Sequence, residues 1–116
     1  MRGDEDRVVS AFAVHLERDG WSVQYEVDHC DMVARWGAET IYAEAKGRTA
    51  AVGLDVDTMF GQLLRRMKQD PSVGDQYAAV LPSEARAAVM RVPARVRLAL
   101  GIRVFLVSSD DAVTEL

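Results

Sequence analysis

The chain is short of the features that mark several large classes of protein. Among its 116 residues there is one cysteine, Cys30, so no intrachain disulfide can form and the cysteine spacing of a structural zinc site is absent. No apolar run reaches the roughly 18 residues that a membrane-spanning helix needs. The N-terminal MRGDEDR is acidic where a signal peptide would be basic and then apolar. These absences predict a cytoplasmic protein in a reducing compartment, with no membrane partner.

Internal repeats, low-complexity segments and linkers are also missing. Hydrophobic residues make up 49% of the chain, and folding at this length buries roughly two-thirds of the surface of the unfolded chain. We therefore expect residues 1–116 to form a single domain with a core of its own.

Hydrophobic periodicity predicts an α/β fold with the element order α-β-β-β-α-β-α-β. Apolar residues at helical spacing predict helices over 5–18, 58–68, 83–90 and 94–100, where Pro93 either kinks one helix or starts another. Alternating or short apolar runs predict strands over 21–27, 31–37, 40–47, 76–82 and 102–107. Residues 48–55 are expected to form a loop, and Trp21 and Trp36 are expected in the core. Because strands separated by helices usually pair in parallel, the expected sheet is mixed, with helices on both faces.

Charge is divided unevenly along the chain, although the net charge is −4. Residues 1–60 carry 6 Lys/Arg against 12 Asp/Glu, whereas residues 61–103 carry 8 against 3. The net charge alone argues against nucleic-acid binding. The division, however, can place a carboxylate cluster beside a basic surface, which a metal-dependent enzyme acting on a polyanion requires.

The stretch TIYAEAKG in the third predicted strand contains the clearest functional candidates. Alternation along a strand puts Glu44 and Lys46 on one face, where they are either a solvated pair or part of a site. If the second and third strands form a tight hairpin, Asp31 falls opposite residue 44 or 45. Two adjacent carboxylates suit Mg²⁺, which takes few protein oxygens, and the carbonyl of Ala45 can supply another. A nearby lysine can orient water or stabilise charge on a phosphate.

With Asp31 on the second strand and the Glu44-Ala45-Lys46 motif on the third, the chain resembles the PD-(D/E)XK nuclease superfamily, which has the restriction-endonuclease-like fold. The nearest similarity is to its small Holliday-junction-resolvase-like or Mrr-like nucleases. Glycine follows the lysine, and the FGQLL segment is similar to the glutamine-bearing helix that flanks the site in several branches. The resemblance covers nearly the whole chain and implies a three-layer core.

This resemblance implies a Mg²⁺- or Mn²⁺-dependent nuclease that hydrolyses phosphodiester bonds in nucleic acid, with DNA expected. Asp31 and Glu44, with the carbonyl of Ala45, would hold the metal. Lys46 would be the catalytic lysine and Gln62 would shape the site. A basic group on the second helix would hold the nucleic-acid backbone: Arg65, Arg66 and Lys68. So small a domain is expected to work as a homodimer or with a partner protein.

Departures from the family pattern leave alternatives open. Cys30 stands where a proline would precede Asp31, and Val9 stands where resolvase-like families carry a further acid, with Glu5 one turn earlier. The first alternative is a catalytically inactive protein of the nuclease fold that binds nucleic acid or a protein partner. The second is a small α/β interaction protein with no nucleic-acid role. Asp28 replaces Asp31 as the ligand if the second strand begins earlier.

Overall fold

The computed structural model describes residues 3–27, 30–67 and 73–116, which form an α/β domain of four α-helices and a six-stranded sheet. The helices are α1 (Gly3–Arg18), α2 (Val52–Arg66), α3 (Arg86–Val89) and α4 (Ala94–Leu100), with a 3₁₀ turn (Ser83–Ala85) before α3. The strands are β1 (Ser22–Val27), β2 (Cys30–Trp36), β3 (Glu39–Ala45), β4 (Asp75–Pro82), β5 (Ile102–Val107) and β6 (Val113–Glu115). None of the helices in these ranges is both long and apolar enough to cross a membrane.

The sheet keeps its strands in chain order, from β1 at one edge to β6 at the other. β1, β2 and β3 form the expected antiparallel meander, β4 and β5 run parallel to β3, and β6 returns antiparallel to β5. The predicted α/β class and mixed sheet are therefore confirmed. β6 was not predicted, because three residues are too few to show the two-residue period of a strand.

Helices cover both faces of the sheet and create two apolar cores. α1 buries Val8 and Phe12 on the face that carries Ile41 and Ala43, whereas α2 and α3 pack on the opposite face, which carries Tyr42. The alternation predicted for TIYAEAKG is therefore confirmed. Because Glu44 lies two residues beyond Tyr42, the same alternation places Glu44 on the face covered by α2.

α2 begins six residues before the predicted helix, so the loop expected over 48–55 is wrong in its second half. Val52 and Val56 lie four residues apart on the stripe that continues through Phe60, and all three pack into the core beneath α2. Burial of this stripe outweighs the low helix propensity of Gly53 and of the β-branched valines.

The two tryptophans do not both lie in the core as predicted. Trp21 packs partly buried against the core beneath α1, but Trp36 is 54% exposed. Their ring centroids lie 6.1 Å apart. Trp36 is the last residue of β2, next to the turn at Gly37, and therefore lies at the end of the sheet.

The segment between β4 and β5 settles the alternative at Pro93. Pro93 stands directly before α4 as its N-cap residue, so it starts a separate helix rather than kinking a long one. The helix predicted from Ser83 is instead a 3₁₀ turn followed by the four-residue α3. Gly101 ends α4 in the left-handed conformation, with φ of 69°, which glycine adopts without steric penalty.

Candidate functional site

β2 and β3 bring Asp31 and Glu44 together. The antiparallel register pairs Met32 with Ala43, and its continuation by one residue sets Asp31 opposite Glu44. The main-chain N–H of Ala45 donates a hydrogen bond of 2.8 Å to Oδ2 of Asp31. This is the placement that the predicted hairpin required.

Glu44 is a buried residue and not part of a solvated strand face. It is 5% exposed, and its Oε1 atom has no hydrogen-bond partner among the described residues. Nε of Arg66 lies 3.6 Å from that oxygen, which is close enough for an ion pair but too long for a hydrogen bond. The solvated alternative for Glu44 is therefore wrong.

The pKa of Glu44 is raised from 4.5 to about 7. The largest cause is burial, because a buried carboxylate loses its hydration, and the neighbouring Asp31 contributes through charge repulsion and through a hydrogen bond between the two carboxyl groups. Arg66 and Lys46 act in the opposite direction and lower it. Glu44 is therefore a carboxyl group that can gain or lose a proton near neutral pH, and a bound cation would favour its charged form.

Lys46 follows β3 directly and lines a cleft at the carboxyl ends of β3 and β4. Its N–H donates to the carbonyl of Val80 at 3.0 Å, which extends the parallel pairing of the two strands by one residue. The cleft has a volume of about 190 Å³, and its lining includes Arg48, Leu81 and Glu84. Ligands of α/β proteins bind preferentially at the carboxyl ends of strands, and this cleft lies at such an end, beside Lys46.

The first turn of α1 lies beside the end of the motif. The carboxylate of Asp4 accepts a hydrogen bond from the main-chain N–H of Arg48 and another, of 3.0 Å, from the guanidinium of Arg7. These interactions lower the pKa of Asp4. The backbone of Glu5, the acid that lies one turn before the position where resolvase-like families carry a further acid, approaches the glycine that follows Lys46.

The predicted residues of α2 differ in how close they come to the carboxylate pair. Arg66 is directed at Glu44, and Gln62 is half-buried one turn earlier on the same helix. Arg65 is exposed, and nothing in the described contacts brings it to the pair. Lys68 lies outside the described residues. Asp28, the alternative ligand on the second strand, also lies outside them.

In the described part of the chain, the carboxylates that could bind a metal ion at this site are those of Asp31 and Glu44. Within residues 3–27, 30–67 and 73–116, no group of three or more His, Cys, Asp and Glu side chains is placed to share one. Mg²⁺ is commonly held by one or two carboxylates and several waters, whereas structural zinc requires four ligands. The unsatisfied oxygen of Glu44 beside Asp31 therefore fits Mg²⁺ or Mn²⁺ and does not fit structural zinc. The contact that Ala45 makes with Asp31 is through its N–H, which orients that carboxylate and does not itself bind a cation.

The ion pair between Arg66 and Glu44 was not predicted from the sequence, because Arg66 was expected to face nucleic acid. One signal was available: Gln62 and Arg66 are four residues apart, and residues at this spacing share a helix face. If Gln62 faces the site, Arg66 faces it as well.

Comparison of the chain with models of protein families, with curated proteins and with solved structures gives no match. The fold and the site therefore carry the functional argument by themselves. They define an α/β domain with a mixed sheet, in which two neighbouring strands hold a carboxylate pair, the buried Glu44 and the half-buried Asp31, followed by a lysine.

Proposed function

We propose that this domain is a divalent-cation-dependent nuclease that hydrolyses phosphodiester bonds in nucleic acid, with DNA as its substrate. The observation that carries the proposal is Glu44, a buried carboxylate beside Asp31 with an unsatisfied oxygen and a pKa of about 7. Carboxyl groups with strongly perturbed pKa values and a specific charged partner are concentrated at functional sites. An acid that served only to stabilise the sheet would be expected to have its oxygens satisfied.

A restriction-endonuclease-like core is part of the same proposal. It is supported by the succession of α1, the meander β1–β3, α2 and the parallel strands β4 and β5. It is also supported by the positions of the motif residues: Asp31 is the second residue of β2, and Lys46 directly follows β3. β6 and the division of the helical segment before β5 are additions to the order that the resemblance implies.

Each residue of the site has a role that follows from its place. Asp31 and Glu44, with the main chain at Ala45, would hold Mg²⁺ or Mn²⁺, which supplies polarisation of the scissile phosphate and acidification of a water when bound. The N–H of Ala45 fixes the Asp31 carboxylate against β3. Lys46, at the carboxyl end of β3, can stabilise negative charge on the phosphate or orient the attacking water.

The nucleic-acid backbone is proposed to run past the C-terminal half of α2 towards the Lys46 cleft. Arg65 is exposed there, and the proposed basic group is completed by Lys68 and by Arg66, which also forms the ion pair with Glu44. The side chain of Arg48, in the lining of the cleft, is 66% exposed and forms an ion pair of 3.4 Å with Glu84. Such an exposed pair contributes little to stability, so Arg48 is available to a phosphate.

A protein of the same fold that binds nucleic acid without cutting it is the second candidate function. It is favoured by the small donor set, which lacks a third acid among the described residues, and by Arg66, which lies against Glu44. A binding module would retain an affinity for DNA that falls steeply with salt, without cleavage.

A cleavage assay with Mg²⁺ or Mn²⁺ separates these functions, on linear, circular, single-stranded and four-way-branched DNA. Wild type is compared with Glu44→Gln and Lys46→Met, and with Glu39→Gln as the matched control. Glu39 is another glutamate of β3 and accepts a hydrogen bond of 2.9 Å from Gln76. The side-chain oxygen of a glutamine at position 39 can accept the same hydrogen bond.

The nuclease proposal predicts that Glu44→Gln and Lys46→Met each lose about a hundredfold or more in rate, while Glu39→Gln cuts like wild type. Cleavage that persists in both folded site variants contradicts the proposal. If wild type cuts none of the substrates but binds DNA in a salt-dependent way, the binding module is the function.

A further inference from the structure

The last turn of α2 directs one arginine at the carboxylate pair. Nε of Arg66 lies 3.6 Å from Oε1 of Glu44, and the side chains are 28% and 6% exposed. This is an ion pair largely removed from water, where charges interact more strongly than at the surface. Arg66 is the final residue of α2, and the helix dipole favours a positive charge at that end.

Among the described residues, three charged groups act on Glu44 from the surrounding elements. Asp31 of β2 repels its negative charge, whereas Arg66 of α2 and Lys46 after β3 attract it, Arg66 more strongly than Lys46. Because the separation from Arg66 is too long for a hydrogen bond, the guanidinium compensates the charge of Glu44 while its Oε1 atom stays unsatisfied.

We propose that Arg66 is a positioning residue: it is the internal counter-ion of Glu44 and competes with a divalent cation for this carboxylate. The inference rests on the proposed function, since it concerns the same site. Two positive charges that share one carboxylate repel each other, so a cation binds either against the field of Arg66 or by displacing it. Arg66 therefore lowers the affinity of the site for the cation.

The first test measures the coupling between the two side chains without any metal. Unfolding by urea is followed at pH 8 with EDTA for wild type, Arg66→Gln, Glu44→Gln and the double variant. We expect Arg66→Gln to raise the unfolding equilibrium constant about tenfold when Glu44 is present, and about twofold or less in the Glu44→Gln background. Arg65→Gln, the exposed neighbour on the same helix, is the matched control and should change it about twofold or less in both backgrounds.

The second test measures the competition by calorimetric titration with Mn²⁺ in the absence of DNA. Arg66→Gln should bind Mn²⁺ about five- to tenfold more tightly than wild type, whereas Arg66→Lys, which keeps the charge, and Arg65→Gln should stay close to wild type. Glu44→Gln should abolish the binding. A side chain with a merely structural role would not tighten cation binding when it is removed.

The outcomes distinguish this inference from the proposed function. Suppose that Mn²⁺ binds but the four unfolding measurements show no coupling between Arg66 and Glu44, or that Arg66→Gln leaves the affinity for Mn²⁺ unchanged or weaker. Either result overturns the role of Arg66, and the nuclease proposal stands. If the coupling is present but no variant binds Mn²⁺, the competition is overturned and the cation-dependent function loses its support as well.

Discussion

Gly47 lies against the first turn of α1: a β-carbon on it would stand 2.5 Å from the main-chain nitrogen of Glu5 and 2.9 Å from the carbonyl carbon of Asp4. Both neighbours are backbone atoms, which cannot move aside as a flexible side chain can. The glycine after Lys46 is therefore required by packing between β3 and α1. Because Asp4 also accepts a hydrogen bond from the N–H of Arg48, the start of α1 and the end of the motif are held together.

The contact with α1 predicts that Gly47→Ala destabilises the protein. The added methyl group forces α1 away from the end of β3, and overpacking of this kind typically costs about 1–3 kcal/mol in the free energy of unfolding. Urea denaturation measures the loss, and the displaced helix should also change the environment of Lys46. A Gly47→Ala variant as stable as wild type would show that α1 does not pack against this residue.

Gly61→Ala is the matched control, and it is expected to have the opposite sign. Gly61 lies inside α2, and the nearest atom to its β-carbon position is Nη1 of Arg65 at 3.8 Å, an ordinary contact. Alanine in a helix interior is more stable than glycine by about 0.5–1 kcal/mol. The pair of variants therefore separates steric conflict from the general effect of replacing glycine.

The raised pKa of Glu44 predicts that stability falls as pH rises. The folded protein holds the proton of Glu44 up to a pKa of about 7, against a usual value of 4.5. The stabilisation is therefore complete below pH 4.5 and is lost as pH rises through 7. A pKa difference of this size corresponds to about 3 kcal/mol at most. Denaturation at pH 5 and pH 8 with EDTA should show a larger decline for wild type than for Glu44→Gln, and equal declines would refute the assignment.

Asp31→Asn should lower the pKa of Glu44 without returning it to 4.5. The charge of Asp31 is the second cause of the raised value, but burial is the largest cause and remains in the variant. The shift is measured by NMR titration of the labelled glutamate carboxyl carbon. Asp57→Asn, at an exposed position of α2, is the control and should leave that titration unchanged. A Glu44 titration that is the same in wild type and Asp31→Asn would mean that the two carboxylates are not neighbours.

The ion pair between Arg103 and Glu115 ties the last strand to the sheet, and its removal at Glu115 should loosen β6 alone. Its guanidinium donates to both carboxylate oxygens of Glu115, at 2.8 and 2.9 Å. Because the two side chains are 38% and 42% exposed, Glu115→Gln should reduce the free energy of unfolding by about 1 kcal/mol or less. Hydrogen exchange at the amide of Leu116, which bonds to the carbonyl of Val104, should quicken while the amide of Lys46 keeps its rate. Unchanged exchange at Leu116 would contradict this role.

The placement of Asp31 and Glu44 could be predicted because it depends on local rules. The two-residue period of a strand assigns Glu44 to one face, and a tight hairpin determines which residue stands opposite Asp31. The start of α2 at Val52 and the exposure of Trp36 could not be predicted in this way. Both features depend on which other segment packs against the residue in the folded protein. The periodicity of one segment carries no information about the segment that packs against it.

By itself, the sequence determined the α/β class, the meander, the extent of α4 and β5, and the meeting of a carboxylate pair with Lys46, because these follow from residue periodicity, turn residues and chain order. The tertiary structure decided the chemical state of that pair. Packing of α2 on the sheet buries Glu44 and sets Arg66 against it, and packing of α1 leaves no room for a β-carbon at Gly47. Burial and neighbouring charges act on a carboxyl group through space, from segments that are distant in the chain. Only the folded arrangement therefore determines the pKa of Glu44 and which residue is its counter-ion.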